Sequence, residues 1–321
     1  MKNRTTSRRW RALSLLAVVG VLALASCSDN KSDGGSDGST KTSTGSGESA
    51  DAIRISSQDF SEQKVLAQVY GQYLEDQGIA VDIQDPIGTR DQLYDALEND
   101  KIDLQLDYSG SAVVFLEGED VAESGASADA QATFDALQPL LKEIDLESSE
   151  QSEAADANAL VALKSWAEEN GVTTISDLAG VDGTLTLGGA AECAERQECL
   201  LGYQDTYGLD LKFKAVEYGP PLVAALEADE IQVAQYGSTA PEIATGKIVE
   251  LEDDKGLQDA QNVVPVFRTS VSSPELIEAL NTISAAITTE DLAAWNQATD
   301  VDKEDPVDVA TKWLQDNDLL K

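Results

Sequence analysis

The sequence predicts a two-lobed α/β fold in which each lobe is a β-sheet flanked by helices. Its 321 residues are enough for two ordinary domains with full hydrophobic cores. The main observation is a degenerate repeat, since LYDALENDKIDLQLDYSGSA at 93–112 returns as LVAALEADEIQVAQYGSTA at 222–240. Each copy reads as the end of an amphipathic helix, a polar turn, an alternating strand, and a tyrosine followed by small residues. Two similar units so far apart indicate two lobes of like construction.

The first lobe is predicted to begin at residue 52. A strand near 53–55 leads into a helix with Ser61 as its N-cap, and this helix ends at Gly78. A second strand at 79–83 precedes the helix and strand of the first repeat copy. This alternation of strands and helices predicts a parallel sheet with helices on its faces.

The second lobe is predicted to open with a strand at 159–163, after a loop at 147–157 that lacks apolar periodicity. Near the end of the chain, an apolar strand at 262–267 and several helical segments cross back to complete the first lobe. The predicted organisation is therefore a first lobe at 52–157 plus 262–321, and a second lobe at 158–261.

Composition excludes several function classes. The net charge is −37, and such a surface repels nucleic acid and anionic lipid headgroups. The chain has no histidine, which removes the catalytic Ser-His-Asp and Cys-His arrangements and the commonest metal ligand. We therefore expect a protein that is not an enzyme and needs no cofactor. A remote alternative is a cell-envelope enzyme using paired carboxylates, with Asp107 and Glu192 as its nearest candidates.

The N-terminus predicts export. A basic region is followed by an apolar run at 13–25 that is short for a membrane span, as in a signal peptide. The following Leu-Ala-Ser-Cys resembles the lipobox of bacterial lipoproteins, which implies cleavage after residue 26 and lipidation of Cys27 on the outer face of the cell membrane. Residues 27–51 are rich in Ser, Gly, Thr and Asp and predict a flexible tether.

Two further cysteines flank an arginine. Because the chain is predicted to be exported and Cys27 to carry lipid, Cys193 and Cys199 are expected to form a disulfide around Arg196. Two cysteines without histidine make a poor zinc site, so no metal is expected. Arg196 suits a planar carboxylate, which it can grip with two hydrogen bonds, but an ion pair with a neighbouring glutamate remains open.

The tyrosines of the two repeat copies are candidate ligand contacts. Tyr108 and Tyr236 follow strands, and in α/β folds the carboxyl ends of strands face the ligand crevice. Both rings are therefore expected to face one cleft between the lobes. The alternative, that both tyrosines cap hydrophobic cores, stays open at this point.

Several motifs together identify a family resemblance. They are ISSQDFSEQKVLAQ, the repeat copy with IDLQLDYSGSA, SWAEENGVTTISDLA, AECAERQECLLGYQDTYGLDLKF, LVAALEADEIQVAQYGSTAPEI and LEDDKGLQDAQNVVPV. In this order, over about 53–321, they resemble the substrate-binding lipoproteins of glycine betaine/carnitine/choline (osmoprotectant) ABC importers. The resemblance implies a periplasmic-binding-protein-like (type II) fold, with two lobes joined by two hinge segments, and partners that are a permease and an ATPase.

The resemblance also implies a cage of aromatic rings around a quaternary ammonium, which has no N–H to donate and is held by ring faces. Two cage tyrosines match Tyr108 and Tyr236. The other two positions carry Asn158 and Gln261, which depart from the family pattern. Tyr218, which precedes a Gly-Pro-Pro turn, is the best candidate for a replacement wall, and the alternative that it is a packing residue stays open.

The resemblance further implies polar contacts to the ligand's carboxylate. It assigns these to Ser111, to Arg196, and to Gln58, which stands where a basic residue is usual. The expected function is capture of a quaternary-ammonium or zwitterionic osmolyte for import. The alternative is a receptor of the same fold for another solute, such as ergothioneine or a polar amino acid, which the amides of Asn158 and Gln261 favour.

Overall fold

The computed structural model describes residues 52–118 and 124–321. The predicted signal peptide at 1–26, the tether at 27–51 and the lipidated Cys27 lie outside these residues. Among the residues described, no helix has both the length and the apolar character that a membrane crossing requires.

Ten strands form the two sheets of the described chain. They are β1 (Ile53–Ile55), β2 (Val81–Ile83), β3 (Leu104–Tyr108), β4 (Leu146–Ser148), β5 (Asn158–Leu163), β6 (Thr186–Gly189), β7 (Lys212–Ala215), β8 (Val233–Gly237), β9 (Ile248–Leu251) and β10 (Val263–Arg268).

Helices connect and cover these strands. They are α1 (Ser61–Asp76), α2 (Arg90–Glu98), α3 (Ser109–Glu117), α4 (Ala130–Glu143), α5 (Lys164–Asn170), α6 (Leu200–Tyr207), α7 (Pro220–Glu227), α8 (Pro241–Ala244), α9 (Pro274–Ser284), α10 (Thr289–Asn296) and α11 (Pro306–Asp316).

The two sheets have the same design. The first has the order β2-β1-β3-β10-β4, and the second has the order β7-β6-β8-β5-β9. In each sheet the first three strands of that order run parallel, while the fourth runs antiparallel to both of its neighbours. We call the first sheet with its helices lobe 1 and the second with its helices lobe 2. The predicted two-lobed α/β fold is confirmed.

The antiparallel strand of each sheet shows how its sequence builds a core on both faces. Along β10, Val263 and Phe267 pack with α1, α9 and α11, whereas Val264 and Val266 pack with α2, α3 and α4. Along β5, residues 160 and 162 face one cluster of lobe 2, and residues 159 and 161 face the other. Alternate side chains of a strand point to opposite faces, so a continuous apolar run fits a strand covered on both sides.

Two local predictions were wrong. Ser61 is the first residue of α1 rather than its N-cap, which is Phe60 and makes no side-chain cap. The predicted loop at 147–157 begins inside β4, because Leu146–Ser148 adds to the edge of β10. Three residues are too few to show a strand's alternation in the sequence.

Candidate functional site

Two chain segments cross where the lobes meet. Ala155 and Asn262 form an isolated antiparallel bridge, and the Asp156 N–H donates to the Gln261 carbonyl at 3.1 Å. The Ser238 hydroxyl of lobe 2 donates to the Ala155 carbonyl at 3.1 Å. Gln261 belongs to this crossing, and Asn158 follows Asp156 by two residues, at the start of β5.

Two adjoining cavities open beside this crossing. One has a volume of about 410 Å³ and the other about 330 Å³. Both are lined by Asn158, Arg196 and Glu198, so the cavities share one wall.

The larger cavity is lined by polar groups of both lobes. Ser111, Arg90 and Gln261 line it together with Asn158 and Arg196. The Gln261 Oε1 atom accepts a hydrogen bond from the Ser111 N–H at 3.0 Å, which fixes the amide against the start of α3. The structure thus brings four of the predicted site residues, Ser111, Asn158, Arg196 and Gln261, to one cavity.

Arg90 is held in this wall by a buried carboxylate. Its Nε donates to both oxygens of Asp107, at 2.9 and 3.2 Å, and the Asp107 side chain is fully buried. Arg90 was not predicted as a site residue, because an arginine at the start of a helix carries no sequence signal of its own. The ion pair gives Asp107 a structural role, although its carboxylate was one of the two candidates for enzyme chemistry.

The smaller cavity contains an aromatic pair. The rings of Tyr218 and Tyr236 lie 5.0 Å apart between centroids, with planes tilted by 43°. Tyr236 is only 2% exposed and its hydroxyl donates to the Gly219 carbonyl at 2.5 Å, whereas Tyr218 is 57% exposed. Packing therefore fixes Tyr236 at the cavity wall, and Tyr218 presents an accessible ring.

A disulfide closes the loop that carries Arg196. Cys193 and Cys199 are bonded to each other in the structure. The Arg196 side chain is about half exposed, with its Nε 3.5 Å from the carboxylate of Glu198. The pair is too long and too exposed to hold the guanidinium firmly. Arg196 thus keeps donors available at the wall shared by the two cavities.

Tyr108 and Gln58 occupy different places. Tyr108 is buried in the core of lobe 1, and its hydroxyl donates to Glu62 Oε1 at 2.5 Å. Gln58 pairs through its backbone with Gly88. Neither residue lines the 410 or the 330 Å³ cavity. Their predicted contact with the ligand therefore stays a prediction.

The buried carboxylate that accepts a hydrogen bond from the Tyr108 hydroxyl links the lobes. Glu62 is 2% exposed and its Oε2 accepts from Asn296 Nδ2 at 2.7 Å. The same nitrogen donates to the Thr239 carbonyl of lobe 2 at 3.0 Å, and the Thr239 hydroxyl donates to Asp156 at 2.9 Å. The contacts form one continuous network from α1 of lobe 1 to the hinge.

Burial dominates the electrostatics of this network. Burial, and next the nearby Asp156 carboxylate, raise the pKa of Glu62 from 4.5 to about 7. Burial likewise raises the pKa of Asp156. Local sequence patterns single out neither acid, since Glu62 is an ordinary first-turn acid of a helix and Asp156 lies in a segment without periodicity. No group of three or more His, Cys, Asp or Glu suited to a metal occurs among the residues described.

Comparison with known proteins agrees with this architecture. Residues 51–316 match the family described as the substrate binding domain of ABC-type glycine betaine transport system. The glycine betaine-binding protein YehZ of Escherichia coli is 24% identical over 85% of this chain and 93% of its own length. The carnitine transport binding protein OpuCC of Listeria monocytogenes is 25% identical over 86% of this chain and 90% of its own length.

Solved structures share the fold. The apo structure of YehZ from Escherichia coli superposes with a TM-score of 0.75 at 23% identity, covering 84% of this chain and 100% of that one. A glycine betaine/carnitine/choline ABC transporter structure gives a TM-score of 0.75 at 22% identity, with the same coverage. The family consists of binding proteins rather than enzymes, as the sequence predicted. Because residues 51–316 match it, the chain belongs to the family of substrate-binding domains of ABC-type glycine betaine transport systems.

Proposed function

We propose that the chain is the extracytoplasmic receptor of an ABC importer and captures a quaternary-ammonium or zwitterionic osmolyte between its lobes. The observation that carries this proposal is the cleft itself. A wall of tyrosine rings, Tyr218 and Tyr236, stands beside Arg196, so one cavity system offers both ring faces and a guanidinium. A quaternary ammonium binds ring faces, and a carboxylate binds a guanidinium.

The names of the relatives support the ligand class. YehZ is named for glycine betaine and OpuCC for carnitine, and both ligands combine a quaternary ammonium with a carboxylate. In our proposal Arg196, with Ser111 and Gln261 nearby, takes the carboxylate, and Tyr236 takes the ammonium. The ligand then selects the closed arrangement of the lobes, and this form docks on the permease and its ATPase.

Attachment to the membrane is part of the proposal. Family membership supports a place outside the cytoplasm, since the substrate-binding proteins of importers work there. The anchor at Cys27 is supported by the resemblance of Leu-Ala-Ser-Cys to a lipobox.

A second solute class fits one observation better. Asn158 lines both cavities and Gln261 lines the larger one, at positions where the family pattern has tyrosines. Amides offer hydrogen bonds to a ligand with additional polar atoms, such as ergothioneine or a polar amino acid.

The test is a calorimetric titration of the purified chain with glycine betaine, carnitine, choline, ergothioneine and a polar amino acid. We expect saturable binding of glycine betaine, carnitine or choline, and at least about a tenfold loss of affinity in Tyr236→Ala. Binding of ergothioneine or the amino acid alone would replace the proposal by the second solute class. Binding of none of the compounds would contradict both.

A further inference from the structure

The smaller cavity contains a carboxylate that the family resemblance does not assign. Asp156 lines it beside the paired rings, at the end of the segment that crosses between the lobes. We propose that Asp156, together with Tyr218 and Tyr236, holds the cationic head of the ligand. This inference rests on the proposed function and names the subsite for its cation. A carboxylate and an additional ring thereby replace the aromatic walls that Asn158 and Gln261 do not supply.

The backbone of Gly237 brings the carboxylate and one ring together. A methyl group at Gly237 would lie 3.3 Å from Asp156 Oδ1 and 3.5 Å from the Tyr218 hydroxyl. The Gly237 N–H also donates to that hydroxyl at 3.2 Å. The two side chains therefore converge above one residue of β8, directly after Tyr236 in the chain.

The two rings form a pair in which Tyr236 is fixed by packing and Tyr218 supplies the accessible surface. The Tyr236 hydroxyl is already used by the Gly219 carbonyl, so its ring is fixed and contributes its π-surface rather than its hydroxyl. The Tyr218 ring packs on it at 5.0 Å, with 57% of the residue still exposed. An exposed ring at a cavity wall is able to bind a cation without rearrangement of the core.

The charge balance of the cavity favours a cation. Asp156 accepts a hydrogen bond from the Thr239 hydroxyl at 2.9 Å. Across 52–118 and 124–321, no lysine or arginine forms an ion pair with it. Glu192 and Glu198 also line the cavity, against the single cation Arg196.

A half-buried carboxylate without a basic partner is disfavoured in its ionised form, which is consistent with its raised pKa. A bound cation would supply the missing partner. The ligand's positive charge would then be neutralised by the protein, and the carboxylate's negative charge by the ligand. The subsite consequently discriminates charge as well as shape.

The experiment compares choline with its neutral isostere, in which a tert-butyl group replaces the trimethylammonium group. Affinities are measured by calorimetry for the unsubstituted chain, for Asp156→Asn and for a matched control, Asp205→Asn. Asp205 is an exposed aspartate of α6, outside both cavities. We expect Asp156→Asn to weaken choline binding about ten- to hundredfold, while its effect on the neutral isostere stays within about twofold.

A second pair of variants tests the ring independently of the carboxylate. Tyr218→Leu should weaken choline binding roughly two- to thirtyfold, and Tyr218→Phe, which keeps the ring, should retain most of it. These variants alter an exposed residue, so the proposed subsite can still be overturned at Tyr218 if Asp156→Asn fails to fold by circular dichroism. Equal affinities of the Leu and Phe variants would overturn the role of Tyr218.

The outcomes separate this inference from the function on which it rests. Choline binding by the unsubstituted chain, with equal affinities in Asp156→Asn and Asp205→Asn, would leave the receptor function standing and overturn the subsite. Equal losses for choline and the neutral isostere would show that Asp156 acts on shape alone, which also overturns it. Failure of the unsubstituted chain to bind any quaternary ammonium would contradict both.

Discussion

Tyr108 is the last residue of β3 and Tyr236 the penultimate residue of the corresponding strand β8, yet their surroundings differ. In lobe 1 the Tyr108 hydroxyl donates to the buried carboxylate of Glu62, and its ring belongs to the core. In lobe 2 the Tyr236 hydroxyl donates to a backbone carbonyl, and its ring lines a 330 Å³ cavity beside Tyr218. Similar strand ends thus give one tyrosine that supports a polar network and one that lines the smaller cavity.

The difference arises from what lies opposite each ring. The first turn of α1 places Glu62 in front of Tyr108, whereas the turn before α7 places Gly219 and Tyr218 in front of Tyr236. A repeat in the sequence fixes the position of a side chain on its sheet, but its role depends on elements from elsewhere in the chain.

Removal of each ring gives the largest expected effect. Tyr108 and Tyr236 are 5% and 2% exposed, so Tyr108→Ala and Tyr236→Ala should each lower the free energy of unfolding by about 3–5 kcal/mol. Urea denaturation followed by circular dichroism measures this loss. Tyr218→Ala, at a residue that is 57% exposed, is the control and should cost less than about 1 kcal/mol.

Ligand binding by the same variants tests whether the two tyrosines contribute differently to affinity. Under conditions in which both remain folded, Tyr236→Ala should lose at least about tenfold in affinity and Tyr108→Ala clearly less. Equal losses would indicate that the Tyr108 ring also contacts the ligand, as the family resemblance implies.

The Glu62 carboxylate, which accepts a hydrogen bond from the Tyr108 hydroxyl, should make the free energy of unfolding depend on pH. Its pKa is raised from 4.5 to about 7, so between these values the folded chain holds a proton that the unfolded chain has lost. The contribution of Glu62 to the free energy of unfolding therefore falls as the pH rises from about 4.5 to about 7. Glu62→Gln removes the penalty and should stabilise the protein by up to about 3 kcal/mol at pH 8, with little effect at pH 4.

Thermal unfolding across this pH range measures the Glu62 effect. Glu98→Gln, at an exposed position of α2, is the matched control and should give a melting curve that follows the unsubstituted chain at every pH. A Glu62→Gln advantage that is the same at pH 4 and pH 8 would contradict a titrating carboxylate in lobe 1.

Substitution of Arg196 tests how lobe 2 contacts the ligand's carboxylate, and it has the smallest expected effect. If it holds the ligand's carboxylate, Arg196→Ala should weaken glycine betaine binding about tenfold more than choline binding, because choline has no carboxylate. Competition calorimetry with the two ligands measures the ratio. A ratio near one would assign the half-exposed guanidinium to its neighbour Glu198 instead.

The repeat and the apolar runs are features that local sequence patterns predict. The apolar run of β10 predicted a buried strand, and the structure covers both of its faces with core side chains. Helix α1 ends at Asp76, two residues before Gly78, which has a positive φ of 87°, in agreement with the helix end predicted at this glycine. These features depend on neighbouring residues, so one sequence is sufficient to predict them.

The polar network at the hinge is a feature that local sequence patterns do not predict. Glu62, Thr239 and Asn296 meet within hydrogen-bonding distance, although 234 positions separate Glu62 from Asn296. Each of the three is an ordinary residue in its own segment. Their contact follows from how α1, α10 and the loop after β8 pack together, which no local periodicity records.

By itself, the sequence determined the two-lobed α/β architecture and the family, because hydrophobic periodicity, turn residues and ordered motifs are properties of the chain alone. Tertiary structure decided which predicted residues share a cavity. It placed Arg196, Asn158, Gln261 and Ser111 around one cavity, packed Tyr218 on Tyr236, and bonded the Tyr108 hydroxyl to Glu62. The physical reason is that a binding cleft is a relation between surfaces of two lobes, and packing across the hinge sets the distances between them.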